Sequence, residues 1–313
     1  MKGNVFDYFE DLSKHNLKER NGVIKVDGVK LRRFVGEFPV IINLVSKDKD
    51  FFEKRWGDAH SVQEIVASKM YNDLGIVTPP VSVVLTEDQK FLEKLKNRFN
   101  PNIATMSQDI KSIDGFFVDL AQHFHKVRSD RFETYPNYKW EVLYNSDLKK
   151  LFLSFMTPEC LEELVNVFLL DELRTDVDRH TANYFLVKGF NSDRYEYVVP
   201  FEFEHVELLL KGDISGKDNF SGFLGTPYES TLPHSKRHDN LSYKRRIEEI
   251  IELVNDGVLS QNSINLIKSA LGYDFPKLIK ETNDKYKAKN GKKHYEAVSR
   301  LWEYNNEKLG KEL

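Results

Sequence analysis

The feature that most constrains this chain is a short polar segment enclosed by two apolar ones. Residues 161–173 form an apolar run with helical periodicity, and residues 184–187 form an apolar, strand-like run. Residues 178–183, between them, contain an aspartate, an arginine, a histidine and an asparagine. A polar segment between two buried elements is placed as a functional loop would be. We therefore expect a functional loop here, and the alternative is a polar turn in which the aspartate caps backbone N–H groups.

The residue types in this loop suit phosphoryl transfer. That reaction needs a carboxylate that orients or deprotonates the attacking hydroxyl, oxygen ligands for Mg²⁺, and positive charge on the phosphates. Asp178 is the candidate base, Asn183 offers an amide oxygen, and Glu202 offers a carboxylate farther along the chain. Because Mg²⁺ needs few protein ligands besides phosphate oxygens and water, one amide and one carboxylate are a sufficient set. The alternative for Glu202 is a place on the solvated edge of a strand.

Strand-like runs dominate the first third of the chain, at residues 23–26, 29–35, 38–45, 81–85 and 103–108. Asp27 and Gly28 predict a hairpin turn between the first two runs. A single helix interrupts the strands. Ser61 and Glu64 form a capping-box pattern at its start, and Gly75 lies near its end.

From about residue 109 the pattern becomes mainly helical, with predicted helices over 115–127, 159–173, 242–254 and 260–271 and at the C-terminus. Thr157 and Pro158 predict the capped start of the second of these helices. Two short strands, 184–187 and 195–199, form a small β-ribbon after the polar loop. This order predicts an α+β chain with a strand-rich lobe over 1–110, a helical lobe over 111–313, and a cleft between them.

Composition narrows the functional class. With 313 residues, 40% hydrophobic and 12% aromatic, the chain is expected to be globular, and its net charge of −3 gives no overall bias toward nucleic acid or anionic membranes. Without a long apolar run or an apolar leader, we expect no membrane insertion and a cytoplasmic protein, or one exported without a cleaved signal. The single cysteine, Cys160, excludes an intramolecular disulfide and is expected in the core.

The motif Asp178-Arg179-His180-x-x-Asn183, followed by a strand and an aromatic-acidic segment, resembles the catalytic core of phosphoinositide-kinase-like enzymes and of HipA-type and CtkA-like bacterial Ser/Thr kinases. The aromatic-acidic segment, residues 201–205, is similar to the metal-binding Ile-Asp-Phe-Gly-His sequence of the phosphoinositide kinases. The resemblance implies a bilobal protein-kinase-like fold with a strand-rich N-lobe and a mainly helical C-lobe. It also implies that ATP and Mg²⁺ bind between the lobes.

The resemblance assigns roles to individual residues of the loop and of the segment after it. Asp178 is implied to be the catalytic base, and Asn183 a magnesium ligand. Arg179 and His180 are implied to shape the loop or contact phosphate. Glu202 stands where the family has a metal-binding aspartate, and its longer side chain places the carboxylate roughly 1 Å farther out, a large shift for Mg²⁺. The fallback ligand is Glu204.

A second departure from the family concerns the phosphate-binding lysine. The resemblance implies a lysine on the strand before the helix, paired with a glutamate that corresponds to Glu64. Asn43 stands at the lysine position, and Lys47 is the nearest replacement. Further cations lie on the preceding strand at Lys30, Arg32 and Arg33. Because a cation there is a large electrostatic contribution, its loss would favour slow catalysis or a pseudokinase.

The strand that contains Met106, Ser107 and Gln108 is the candidate hinge that contacts adenine through its backbone. The resemblance favours a Ser/Thr kinase that acts on a protein, with autophosphorylation included. The alternatives are a pseudokinase, or nucleotide-dependent binding module, and a phosphoinositide lipid kinase. Nucleic-acid binding is not expected, because the basic residues 285–293 contain few aromatic side chains for base stacking. No pattern indicates an oligomeric state.

Overall fold

The computed structural model describes residues 26–27, 30–35, 38–43, 58–83, 105–108, 110, 115–121, 138–176, 183–203 and 243–313. The strands in these ranges are β1 (Val26–Asp27), β2 (Lys30–Val35), β3 (Phe38–Asn43), β4 (Val81–Val83), β5 (Thr105–Gln108), β6 (Phe116–Leu120), β7 (Tyr184–Gly189) and β8 (Tyr197–Pro200). The helices are α1 (Ala59–Asp73), α2 (Tyr138–Tyr144), α3 (Ser146–Leu153), α4 (Pro158–Arg174), α5 (Tyr243–Asn255), α6 (Gln261–Gly272), α7 (Phe275–Tyr286) and α8 (Gly291–Leu309).

The first sheet is antiparallel and contains the strands predicted in the first third of the chain. Its order is β1-β2-β3-β5-β4. The pairing of Asp27 with Lys30 leaves two residues in the turn, which confirms the predicted hairpin. β5 lies between β3 and β4, so the predicted hinge strand is an inner strand of this sheet.

Helix α1 begins earlier than the sequence predicts. It starts at Ala59 after Asp58, whose side chain makes no capping hydrogen bond. Ser61 and Glu64 therefore lie inside the helix, where both are buried, and the predicted capping box is wrong. The Glu64 carboxylate instead bonds to a distant part of the chain. The predicted end is confirmed, because α1 ends at Asp73 and Gly75 takes a positive φ of 86°.

The second sheet corrects another prediction. Its order is β6-β7-β8, and β6 occupies residues where the sequence predicts a helix over 115–127. β6 pairs antiparallel with β7, from Phe116 opposite Gly189 to Leu120 opposite Phe185. Aromatic and β-branched residues favour a strand here, and the ladder with β7 outweighs the amphipathic periodicity. The predicted ribbon of β7 and β8 is confirmed.

Helix α4 lies in the main core and leads toward the polar loop. Its start is as predicted, since the Thr157 side chain accepts from the Cys160 N–H at 3.1 Å and Pro158 occupies the first turn. Cys160 is fully buried, which confirms its place in the core, and burial raises its thiol pKa well above the usual value. The helix ends at Arg174, followed by Thr175 with a positive φ of 60°.

The C-terminal helices complete the core around α4. The predicted helices over 242–254 and 260–271 are confirmed as α5 and α6. Trp302 of α8 packs on Phe275 of α7, with ring centroids 4.8 Å apart. Within the described residues, no helix combines the length and the apolar character that a membrane crossing requires.

Candidate functional site

The β7–β8 ladder brings the two predicted metal ligands to one end of the ribbon. Asn183 immediately precedes β7, and Phe201 and Glu202 immediately follow β8. The Phe201 N–H donates to the Asn183 carbonyl oxygen at 3.1 Å, which continues the pairing of Tyr184 with Pro200. Asn183 is only 2% exposed. Asn183 and Glu202, far apart in sequence, are therefore neighbours in the fold.

The backbone of Glu202 is strained. Its φ is +60°, a left-handed backbone conformation that residues other than glycine rarely adopt. This conformation costs an L-residue about 1–2 kcal/mol and persists only where the surrounding structure determines it. Because β8 ends at Pro200, Glu202 is not on an edge of β8. The other members of the predicted strand edge, Glu204 and Glu207, lie outside the described residues.

Phe203, the next residue, is held by both its backbone groups and its ring. Its N–H donates to Glu64 Oε2 at 2.7 Å, and its carbonyl oxygen accepts from Arg174 Nη2 at 3.1 Å. Its ring is fully buried, with its centroid 4.8 Å from that of Tyr71 and 5.3 Å from the Arg174 guanidinium carbon. These contacts fix the backbone on one side of Glu202. The hydrogen bond from Phe201 fixes the other side.

Glu64 joins α1 to this segment. Its carboxylate is 3% exposed and accepts the Phe203 N–H, a charge-assisted bond between residues 139 positions apart. Asn43 ends β3, opposite Thr105 of β5. Lys47 lies outside the described residues, so its pairing with Glu64 stays a prediction.

Sequence reasoning missed a buried charged cluster at the end of α4. The Arg174 guanidinium Nη1 lies 3.9 Å from Asp171 Oδ1 and 3.7 Å from Asp176 Oδ2. The Tyr71 hydroxyl donates to Asp171 Oδ1 at 2.6 Å. All four side chains are at most 2% exposed. The signal that could have found them is the occurrence of opposite charges three residues apart, Asp171 and Arg174, in an apolar helix that leads into the polar loop.

Helix α1 is also bound to β8 and to the end of α6. Thr78, which follows α1, donates through its hydroxyl to the Pro200 carbonyl oxygen at 2.8 Å. At the C-terminal end of α1, Asp73 accepts from the Tyr273 hydroxyl at 2.6 Å. These bonds fix the C-terminal end of α1, the helix that carries Glu64.

Residues of α8 and of the turn before it bind the N-terminal end of α1. Lys289 donates its backbone N–H to Asp58 Oδ2 at 2.8 Å, and Gln63 Nε2 bonds to His294 Nε2 at 3.2 Å. Burial lowers the pKa of His294 to about 3, and charge repulsion from the nearby His60 contributes a smaller part of this shift. The imidazole is therefore neutral at physiological pH, and its Nε2 accepts from the Gln63 amide.

The predicted catalytic loop lies outside the described residues, and with it Asp178, Arg179 and His180, so their roles stay predictions. The residues of the predicted hinge form strand β5. Ser107 pairs with Ile41 of β3 and Val81 of β4, and Met106 also has partners on both sides. Among the described strands, Gln108 pairs with β3. The contact of these residues with adenine stays a prediction.

The chemistry of the site suits a hard cation held by few protein ligands. The described residues contain no group of three or more His, Cys, Asp or Glu side chains arranged to hold a metal ion. Asn183 and Glu202 provide an amide and a carboxylate, and Mg²⁺ at a phosphate site often takes only one or two such groups. The donor set therefore fits Mg²⁺ bound together with phosphate oxygens.

Comparison with known proteins gives a structural likeness only. No protein-family model matches the chain, and neither does any curated protein. The crystal structure of the Helicobacter pylori proinflammatory kinase CtkA covers 91% of this chain and 92% of its own, with a TM-score of 0.52 and 14% identity. HipA of a Shewanella oneidensis MR-1 toxin–antitoxin system, solved with HipB and operator DNA, covers 94% of this chain and 67% of its own, with a TM-score of 0.44 and 11% identity.

The likeness to CtkA confirms the predicted resemblance at the level of the fold. The match extends over nearly the whole of both chains, so this chain has a mixed helix and strand fold similar to that of CtkA. The division into lobes at residues 1–110 and 111–313 stays a prediction.

Proposed function

We propose that this chain is an ATP- and Mg²⁺-dependent kinase that transfers the γ-phosphate to a serine or threonine hydroxyl of a protein, itself included. The observation that carries the proposal is the meeting of Asn183 and Glu202 at one end of the β7–β8 ribbon, where Glu64 binds the next residue, Phe203. The kinase-like fold supports the same conclusion. In such a fold, oxygen ligands at this place suit Mg²⁺ bound to nucleotide phosphates.

In the proposed reaction, Asp178 accepts the proton of the acceptor hydroxyl. The hydroxyl oxygen forms a bond to the γ-phosphorus, while the bond from that phosphorus to the β–γ bridging oxygen breaks and ADP leaves. Asn183 and Glu202 would hold Mg²⁺, which supplies positive charge to the phosphate oxygens when bound. Arg179 and His180 shape the loop or contact phosphate. Most of the rate enhancement then comes from positioning and electrostatics.

The nucleotide is proposed to bind in a cleft between the two predicted lobes, along β3 and β5. Lys47 would supply positive charge to the phosphates in place of the lysine that Asn43 replaces, and Glu64 would orient it. Adenine would contact the backbone of the Met106–Gln108 strand near Gln108, because the described pairing leaves that residue a neighbouring strand on one side only.

A second candidate is a pseudokinase that binds nucleotide without transferring phosphate. Asn43 carries no charge at the position where kinases of this kind have lysine. The Glu64 carboxylate, which would orient such a lysine, is engaged by the Phe203 N–H. Both observations are compatible with binding alone.

Thermal unfolding with ATP, with and without Mg²⁺, followed by a radiolabelled transfer assay, separates these candidates. The kinase predicts stabilisation by ATP that requires Mg²⁺, and transfer to generic protein substrates. Stabilisation without transfer would favour the pseudokinase. Transfer to phosphoinositide vesicles and not to protein would contradict the proposed acceptor and indicate a lipid kinase.

A further inference from the structure

One buried guanidinium contacts two segments that adjoin residues of the candidate site in the sequence. Arg174 Nη2 donates to the carbonyl oxygen of Phe203, the residue after Glu202. Its Nη1 lies 3.7 Å from Asp176 Oδ2, and Asp176 is two positions before Asp178. The same side chain therefore contacts both the proposed metal-binding segment, residues 201–203, and Asp176, which leads into the predicted catalytic loop.

The geometry of these contacts suits arginine better than lysine. A guanidinium is planar, always charged and presents several N–H donors in fixed directions, whereas a lysine ammonium is a single point of charge on a flexible chain. Arg174 is 1% exposed and uses different nitrogen atoms for Phe203 and Asp176. A lysine at this position would retain the charge but would not span both partners.

The cluster includes helix α1 as well. The Tyr71 hydroxyl donates to Asp171, which lies 3.9 Å from Arg174 Nη1, and the guanidinium carbon stands 5.5 Å from the centroid of the Tyr71 ring. Glu64, two turns before Tyr71 on the same helix, binds the Phe203 N–H. A displacement of α1 would therefore disturb both backbone contacts of Phe203.

We infer that Arg174 is a positioning residue that sets the placement of the base-bearing loop relative to the metal-binding segment. This inference rests on the proposed kinase function. It assigns to Arg174 a role beyond stability, because Arg174 contacts both Asp176, which leads into the predicted catalytic loop, and Phe203, which follows the proposed ligand Glu202. Arg174 touches neither substrate nor metal in this account.

A matched control distinguishes positioning from stability. Arg246 of α5 is 13% exposed in its side chain and pairs with Glu172 of α4 at 2.7 Å. This second arginine–carboxylate pair involves the same helix. The pair joins α5 to α4 and lies outside the cluster of Arg174, Asp171, Asp176 and Tyr71. Arg246→Lys keeps the charge and removes the guanidinium geometry of this pair, so we expect lower stability and little change in the proposed reaction.

The experiment compares Arg174→Lys and Arg246→Lys with the wild-type chain by thermal unfolding, hydrogen exchange and transfer kinetics. In Arg174→Lys we expect faster amide exchange in peptides that contain Asp176 and in those that contain Phe203. We also expect kcat to fall at least tenfold and the half-saturating Mg²⁺ concentration to rise. Arg246→Lys should keep kcat within about twofold of the wild type at matched temperature below unfolding.

Three results would overturn the inference. They are an equal effect of both variants on kcat, faster exchange at only one of the two peptides, or exchange changes in Arg174→Lys without a kinetic change. If Arg174→Lys does not fold, Asp176→Asn removes the negative charge on the loop side and leaves Arg174 in place, and unchanged kcat in that variant would overturn the inference. A wild-type chain without transfer would overturn the proposed function itself, and the positioning role would fall with it.

Discussion

The carboxylate of Glu64 accepts the backbone N–H of Phe203 at 2.7 Å, across 139 residues of chain. Because Glu202 is adjacent to Phe203 and has a left-handed backbone, this bond joins helix α1 to the placement of a proposed metal ligand. In the proposed kinase, Glu64 therefore positions the metal-binding segment, whether or not it also pairs with a lysine.

Glu64→Ala leaves the buried N–H of Phe203 without this acceptor, and such a loss costs about 1–3 kcal/mol. We expect a lower unfolding temperature and at least a tenfold loss of kcat. Glu64→Gln keeps an acceptor oxygen and should retain most of the stability. If the negative charge also orients Lys47, Glu64→Gln should raise the KM for ATP. Steady-state kinetics beside thermal unfolding measure both effects, and wild-type kinetics in Glu64→Ala would contradict the positioning role.

Glu202→Gly should separate stability from activity. Glycine adopts a φ of +60° without steric cost, so the change relieves strain, while the more flexible unfolded chain offsets part of the gain. We expect the free energy of unfolding to be unchanged or higher by up to about 1 kcal/mol, and Mg²⁺-dependent transfer to be lost. Glu202→Asn is the matched comparison, because asparagine tolerates this conformation and replaces the carboxylate with an uncharged amide oxygen, so it should weaken Mg²⁺ binding less than Glu202→Gly. Retained transfer in both variants would exclude Glu202 as the ligand.

Local patterns predicted the elements that depend on neighbouring residues. The capped start of α4 at Thr157 and the strands of the β7–β8 ribbon were identified because their signals lie within a few residues. The prediction of a helix over 115–127 was wrong because β6 owes its conformation to the ladder with β7, more than sixty residues away in the sequence.

The site was only partly predictable for the same physical reason. Asn183 and Glu202 carry donor atoms suited to a metal site, so residue type made them candidate ligands, and their metal role stays a prediction. Ser61 and Glu64 matched a capping box, yet the burial of Glu64 and its bond to Phe203 follow from tertiary packing. The partners of Arg174 likewise depend on how α1, α4 and the segment after β8 meet in space.

The buried His294 predicts a loss of stability in acid. Its folded-state pKa of about 3 lies below the usual 6.5 of an unfolded histidine, so the unfolded chain binds the proton first as the pH falls. Its contribution is complete above pH 6.5 and is lost toward pH 3, at about 1.4 kcal/mol per pH unit. His294→Gln should show a shallower decline than the wild type in urea unfolding across this range. Parallel curves would contradict the prediction.

Glu163 on α4 predicts the opposite dependence. Burial raises the pKa of its carboxyl from 4.5 to about 7, against the lowering effect of backbone hydrogen bonds from Val198 and Val77. The stability associated with the protonated acid is present below pH 4.5 and is lost as the pH rises to 7. Glu163→Gln mimics the neutral form and can still accept the Val198 N–H. Its stability relative to the wild type should rise between pH 4.5 and 7 in urea unfolding, and a constant difference would contradict this assignment.

The most direct measurement is the transfer of radiolabelled γ-phosphate from Mg-ATP by the wild-type chain and by Asp178→Asn, purified and assayed side by side. The proposed mechanism predicts Mg²⁺-dependent labelling of protein by the wild type and a loss of at least a hundredfold in Asp178→Asn, with Mg-ATP binding retained in thermal unfolding. Full transfer by Asp178→Asn, or no transfer by a wild-type chain that binds Mg-ATP, would contradict it.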